Sequence, residues 1–367
     1  VTLLLLALGL GFGLASWATP VARSAALRFG IVDRPDGRLK RQEEPVPYLG
    51  GLAVYLSFLV SVALLYEFDQ RVLGLLLAGT LVLLVGLIDD LGRLSPGVKL
   101  AGQGVACWVL VKSDVMIHIV WLPPWAQAAV TILWILTVTN AMNLLDIMDG
   151  LAPGVAAVAC LSLVAVTHVG EPGAIAVMAA ALAGSLLGFL RHNAAPARIY
   201  LGDSGSLFLG LMLGAMTMTA QYTTRNRLGF LSPLLIVGLP LFDTLFVSVI
   251  RLGRGASPFR GSPDHFPLRL RRMGMTVRGV TLSCYAAGAV LGALALWNTR
   301  LAATSRSSLL LACVAAAGLA FAAVLVAQEA RNRRASGPRR RKGIRSRRQD
   351  PPAPVAAVGD ERGGRAG

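Results

Sequence analysis

The sequence predicts an all-α polytopic membrane protein that crosses the bilayer about eleven times. Three observations lead there. Of the 367 residues 55% are hydrophobic, and the mean hydropathy is +0.64, more apolar than a water-soluble domain of average composition. Apolar runs close to the roughly 20 residues that a helical crossing needs recur through most of the chain. They are near-continuous Leu, Val, Ala and Gly, without the period-two alternation of a membrane-spanning β-barrel.

Taken in order, the spans fall near 2–19, 48–66, 72–90, 98–113, 125–143, 151–168, 173–190, 205–221, 229–250, 279–297 and 307–328. The first lacks a basic segment before it and a small-residue cleavage site after it, so it reads as a retained span. The span at 98–113 is short and carries Lys99 and Gln103. Residues 114–124 are too few to cross and are expected at the surface. The four cysteines all lie inside apolar runs with no CxxC pair, which argues against a disulfide framework or structural zinc.

Eleven crossings put the termini on opposite sides, and the distribution of basic residues chooses which. One set of loops holds Arg23, Arg28, Arg34, Arg38, Lys40, Arg41, Arg93, Lys99, Arg191, Arg198 and seven arginines between Arg251 and Arg278. The opposite loops hold only Arg71, Lys112, Arg225, Arg227, Arg300 and Arg306. The N-terminus is therefore expected outside and the C-terminus inside. Two regions follow: a multi-pass domain over 1–328 and a basic, Pro- and Gly-rich cytoplasmic tail over 329–367, expected to be disordered. The net charge of +16 comes largely from this tail and the cytoplasmic loops, so it does not argue for nucleic acid.

With that sidedness, Asp89, Asp90, Asp146, Asp149, Asp203, Asp243, Asp264 and His265 share the cytoplasmic face. Carboxylates interleaved with Lys and Arg at a membrane surface suit a divalent cation and phosphates, because Mg²⁺ takes hard oxygen ligands. On a helix Asp89 and Asp90 point about 100° apart, so they should serve separate roles. Asp146 and Asp149, spaced i,i+3, can face one site. Extended back to Asn143 and Asn140 that spacing drifts around the helix, so a helix is expected to end within the motif. Asp149-Gly150 is the turn signal, and Pro153 fits the first turn of the next span. In "GDSGS" (202–206) Ser204 or Ser206 could cap the eighth span, whose N-terminus would offer amides to an anion beside Asp203.

These residues, in five ordered motifs between about 30 and 330, resemble the polyprenyl-phosphate N-acetylhexosamine-1-phosphate transferases. The motifs are "VDRPDGRLKRQEEPVPYLGG" (32–51), "GLIDDLGRLSPGVKLAGQ" (86–103), "NAMNLLDIMDGLAPG" (140–154), "FLRHNAAPARIYLGDSGS" (189–206) and "PLFDTLFVSVIRLGRGASPF" (240–259). The first motif favours the branch that moves GlcNAc-1-phosphate from UDP-GlcNAc to undecaprenyl phosphate over the muramoyl-pentapeptide branch. Departures are present: "HFPL" replaces a His-rich cluster and leaves only His265, while Gln42, Tyr48 and Ile147 stand where His, Arg and Gly are usual.

The resemblance implies a Mg²⁺-dependent transfer, with Mn²⁺ as a substitute, at the cytoplasmic face of the bacterial inner membrane. A polyprenyl phosphate accepts sugar-1-phosphate from a UDP-sugar donor and UMP leaves. It assigns Asp203 to the metal, and Asp89, Asp90 and His265 to catalysis. Lys40, Asn140, Asn143, Asp146, Asp149, Asn193 and Arg269 fall to substrate binding. A homodimer is compatible with it. The alternatives are the phospho-N-acetylmuramoyl-pentapeptide transferase of peptidoglycan synthesis, a cation-coupled transporter, and an inactive scaffold relative.

Overall fold

The computed structural model describes residues 1–33, 46–92, 94–119, 122–167, 173–220, 222–223, 227–257 and 262–335. The chain is an all-α polytopic membrane protein. Its helices are α1 (Thr2–Arg28), α2 (Gly50–Leu65), α3 (Gln70–Gly92), α4 (Pro96–Lys112), α5 (Pro124–Leu145), α6 (Leu151–Thr167) and α7 (Ala174–Asn193). They continue with α8 (Gly202–Thr219), α9 (Ser232–Ile236), α10 (Gly238–Leu252), α11 (Phe266–Arg272), α12 (Val277–Arg300) and α13 (Thr304–Ala335). One antiparallel pair, β1 (Val32–Asp33) with β2 (Val46–Pro47), closes the base of the first loop.

Helix occupies each of the segments read as spans, but not all are spans by themselves. Among the described residues six helices are long and apolar enough to cross alone: α1, α3, α5, α7, α12 and α13 through Glu329. Helices α2 and α6 have 16 and 17 residues, about 25 Å at 1.5 Å per residue, short of a ~30 Å hydrocarbon core.

The ninth segment, read as one span, is two helical pieces. It is broken at Val237, where the 227–236 stretch and α10 meet at 74° and together make a seventh candidate span. Pro240 explains the position. It has no N–H to offer the carbonyl of residue 236, and its ring would collide with that carbonyl in a continuous helix.

Helix α7 supplies the centre. "AVMAAALAGSLL" is apolar on every side, and Ala176 through Leu186 are buried without interruption, as a helix enclosed by others must be. Helices α1, α2 and α6 pack around it. Beside it α8 packs against α3 and α5, with Phe208 of α8 against Tyr55 and Phe58 of α2 at ring-centroid distances of 5.3 and 5.7 Å. This packing brings the ends of α3, α5 and α8 together. The compact units are Val1–Ala320 and Phe321–Gly367, the boundary lying inside α13. The tail beyond 335 lies outside the described residues.

Candidate active site

The site is built where α3 ends and α8 begins. Gly86 presents no side chain toward α8, and a Cβ there would run into the backbone of Asp203 and Ser204. That close approach lets Asp90, one turn further along α3, reach the first turn of α8. Its Oδ1 accepts the amide of Asp203 at 2.8 Å and its Oδ2 that of Ser204 at 3.1 Å. Two of the four N–H groups left open at a helix start are thereby satisfied, by a carboxylate from another helix. The capping expected of Ser204 or Ser206 does not occur: α8 begins at Gly202, so both serines lie inside the helix past the cap position, and Asp90 takes the amides instead. Gly202 enters α8 with φ +77°, and a Cβ on it would sit 2.6 Å from Asp90 Oδ2. Gly202→Ala is expected to lose about 1–2 kcal/mol to the left-handed backbone alone and to displace Asp90, lowering both thermal stability in detergent and transfer rate.

Asp89 turns elsewhere. Its Oδ1 accepts the Leu94 amide at 2.6 Å, and its Oδ2 lies 2.9 Å from Lys99 Nζ. The same ammonium lies 2.5 Å from Asp203 Oδ2 and 3.3 Å from Asn143 Oδ1. Asn143 Nδ2 then donates to Asp203 Oδ1 at 2.8 Å and to Ser206 Oγ at 2.8 Å. Lys99 thus joins α3, α5 and α8 from α4. The side chains of Lys99 and Asp89 are only 16% and 13% exposed, that of Asp203 36%, so Asp203 is the member of the group open to a ligand.

One turn along α4 from Lys99, Gln103 exchanges side-chain amide hydrogen bonds with Asn140 at 2.8 and 3.4 Å. Gln103 is buried, and this pair fixes α4 against α5. Gln103→Leu alone would leave Asn140 Oδ1 without its donor, while Nδ2 keeps the Leu136 carbonyl, and is expected to cost about 1–3 kcal/mol. The Gln103→Leu/Asn140→Leu pair should cost less than the sum of the two single changes in thermal unfolding.

Helix α5 ends at Leu145, Asp149 and Gly150 form the turn with Gly150 at φ +74°, and Pro153 stands in the first turn of α6. Asp149 Oδ2 accepts the Ala197 amide at 3.0 Å. Asn193, at the end of α7, ties the two loops: its Oδ1 accepts the Gly150 amide and its Nδ2 donates to the Ile199 carbonyl. Asp146 is half-buried. Burial first, and then the neighbouring carboxylates of Asp203, Asp90 and Asp149, push its carboxyl from the ordinary 3.8 up to about 8. An acid with a raised folded value binds extra protons in the folded state, so its contribution is full below the ordinary value and lost as pH rises through about 8. In EDTA, thermal stability is therefore expected to fall across that window, and Asp146→Asn should flatten the fall.

A second polar cluster joins α10 to the loop before α11. His265 Nδ1 is 2.6 Å from Asp243 Oδ2, and Asp243 Oδ1 accepts the Phe266 amide at 2.9 Å. Both side chains are buried. Asp264 accepts both oxygens' worth of contact from Arg254 Nη1 at 2.9 Å, and Arg269 Nη2 reaches its Oδ1 at 3.2 Å. Burial alone would raise the Asp264 carboxyl. Hydrogen bonds from Arg254 and Ser262, with the charges of Arg254 and Arg269, outweigh this and hold it below the usual range. The Arg269 guanidinium also lies 5.0 Å from the Phe246 ring centroid, so its orientation is fixed within the protein. Helix α10 packs against α5, the helix of Asn140 and Asn143.

The structure therefore joins Asp89, Asn143 and Asp203 directly, places Asp90 behind Asp203, and puts Asp146 in their electrostatic reach. Asn140 and Asn193 act through other protein groups. Lys40 lies outside the described residues. Lys99, the centre of the constellation, stands out in the sequence with Gln103, in the short span and in the second motif, but the sequence assigns it no role. Its signal was there: a lysine inside an apolar span, followed at i+4 by a glutamine. Among the described residues no group of three or more His, Cys, Asp or Glu side chains is arranged to hold a metal.

Comparison with known proteins agrees with this geometry. Residues 72–221, which contain Asp89, Asp90, Lys99, Asn143, Asp146 and Asp203, match the model described as "Glycosyl transferase family 4". The chain is 30% identical over 282 residues to the probable undecaprenyl-phosphate N-acetylglucosaminyl 1-phosphate transferase of Bacillus subtilis, covering 74% of this chain and 78% of that protein. It is 33% identical over 310 residues to the decaprenyl-phosphate N-acetylglucosaminephosphotransferase of Mycolicibacterium smegmatis, covering 73% and 75%. A phospho-N-acetylmuramoyl-pentapeptide-transferase of Nostoc is 32% identical over 303 residues, covering 74% and 79%, and is the more distant relative. The chain belongs to glycosyl transferase family 4, among the polyprenyl-phosphate N-acetylhexosamine-1-phosphate transferases.

Proposed function

We propose that this protein transfers GlcNAc-1-phosphate from UDP-GlcNAc to undecaprenyl phosphate or a similar polyprenyl phosphate, releasing UMP. The observation that carries the proposal is the Asp89–Lys99–Asp203–Asn143 constellation, with Asp203 open at the end of a bundle of membrane helices. An oxygen of the lipid phosphate attacks the β-phosphorus, and the bond from that phosphorus to the UMP oxygen breaks. Such transfer is largely positioning and neutralisation of charge.

Lys99 supplies a fixed positive charge at the site and keeps Asp89 and Asp203 in register. Asn143 orients Asp203 through its Oδ1, and Asp90 anchors the start of α8 that carries it. Asp89 remains beside the ammonium as the carboxylate able to take or relay a proton from the acceptor phosphate. The donor set fits Mg²⁺. It is hard oxygen throughout, and Mg²⁺ needs only one or two carboxylates, with phosphate oxygens and water filling the rest of its shell. Asp203, with Asp146 close by, would hold it. The ion, or Mn²⁺ in its place, would offset diphosphate charge and support UMP as the leaving group.

The alternation of basic loops supports eleven crossings with the N-terminus outside, and so a cytoplasmic active face on the bacterial inner membrane. The test is incubation of purified protein with labelled UDP-GlcNAc and undecaprenyl phosphate, with Mg²⁺ and with EDTA. Labelled lipid and UMP in equal amounts, lost in EDTA, are expected. Failure with UDP-GlcNAc but product from UDP-N-acetylmuramoyl-pentapeptide would replace this reading with that of the more distant relatives.

A further inference from the structure

A cleft of about 440 Å³ opens between the end of α7, the 194–198 loop and the start of α12. Its lining is strongly basic: Arg191, His192, Arg198 and Arg278, against a single acid, Asp149. None of the three arginines forms an ion pair among the described residues. Arg278 is aimed by a 2.8 Å bond from Nε to the Ala195 carbonyl, and Arg191 lies 5.8 Å from the Phe12 ring of α1. Asp149 is engaged by the Ala197 amide. None of Asp89, Asp90, Lys99, Asn143 and Asp203 lines the cleft. One rim is apolar: Leu282 of α12 is 63% exposed on a helix apolar enough to cross the membrane.

Uncompensated guanidinium groups beside an apolar wall, at the ends of membrane helices, match one ligand chemistry: a phosphate with an acyl chain attached and net negative charge. We propose that this cleft binds the headgroup of an anionic phospholipid of the surrounding leaflet. The phosphate sits among Arg191, Arg198 and Arg278, and the acyl chains run along the Leu282 side of α12. The bound lipid holds α7 and α12 to the loop that Asp149 contacts. The proposal does not depend on the sugar or lipid substrate of the transfer.

The same phosphate chemistry could come from a soluble source, so the experiment separates the two. A photo-crosslinking residue replacing Leu282, with all arginines intact, is illuminated in nanodiscs of phosphatidylcholine with phosphatidylglycerol. Crosslinking to phosphatidylglycerol in excess over its mole fraction, undiminished by millimolar UMP or inorganic phosphate, is expected. In parallel, native mass spectrometry counts phosphatidylglycerol retained by the detergent-purified protein. Arg191→Gln/Arg198→Gln should retain about tenfold less. Arg191→Lys/Arg198→Lys, and the charge-matched control Arg28→Gln/Arg271→Gln outside the cleft, should retain nearly all. Crosslinks in proportion to bulk lipid, or equal retention in all four proteins, would overturn the proposal. Suppression of the crosslink by UMP or phosphate would give the cleft to a soluble ligand instead.

Discussion

Lys99→Met is expected to reduce transfer by about a thousandfold, the upper range for removing one charged stabiliser from a preorganised site. Methionine keeps the length and apolar stem of lysine, so packing between α4 and its neighbours should survive. What disappears is the ammonium 2.9 Å from Asp89 and 2.5 Å from Asp203. Two carboxylates held by that one cation would then face each other, and removing one member of a sheltered ion pair is itself destabilising by several kcal/mol (about 3–5). The two effects can be separated. Asp89→Asn/Lys99→Met relieves the repulsion, so its thermal stability should return toward that of the native protein while its transfer rate stays low. Recovery of rate together with stability would show that Lys99 serves only to hold the fold.

Asp203→Asn should abolish transfer to a similar or greater extent at a smaller cost in stability than Lys99→Met, because Lys99 keeps Asp89 as its partner. Asp203 Oδ1 accepts from Asn143, and an asparagine carbonyl can keep that bond. The charge toward Lys99 and toward a cation is what is lost. Asp90→Asn makes the informative contrast. Both Asp90 oxygens accept backbone amides of α8, and asparagine can serve only one of them. That change should cost stability by about 1–3 kcal/mol and lower the rate indirectly. Initial rates and thermal unfolding of the two proteins, measured side by side, distinguish a residue that meets substrate from one that positions it. Equal losses of stability in the two would contradict the division of labour drawn for the aspartates.

Much of this arrangement was legible in the sequence because membrane helices announce themselves by length and apolarity. The end of α5 before Asp146, the Asp149-Gly150 turn and the start of α6 with Pro153 all follow from local chemistry: spacing, a turn dipeptide and a proline that tolerates the first helical turn. The divergence of Asp89 and Asp90 follows from helix geometry, and the two indeed have different partners. The break at Val237 was less legible. Pro240 is the local cause, but the amount of bend depends on what packs around it.

What local chemistry could not supply was partnership across the fold. Lys99 is visible in the sequence as a charge in a short span and as part of the second motif, and only the packing of α3, α4, α5 and α8 makes it the hub. The start of α8 offered serines as caps, yet the cap comes from Asp90, 113 residues away. Asp243 pairs with His265, 22 residues away, because α10 and the residues before α11 meet at that point. Arg269, expected near phosphate, turns toward Asp264 and Phe246. Each is a long-range contact, and sequence spacing carries no information about those.

In the proposed transfer the bond cleaved joins the β-phosphorus to UMP, so the sugar moves with its phosphate. The most direct measurement uses UDP-GlcNAc carrying ³²P at the β position in one reaction and at the α position in another, each with undecaprenyl phosphate. The β-label is expected to pass into the organic-extractable lipid together with the sugar, while the α-label stays in water-soluble UMP. Sugar in the lipid without β-label, with UDP as the soluble product, would mean transfer of the sugar alone and would overturn the sugar-phosphate transfer proposed for this protein.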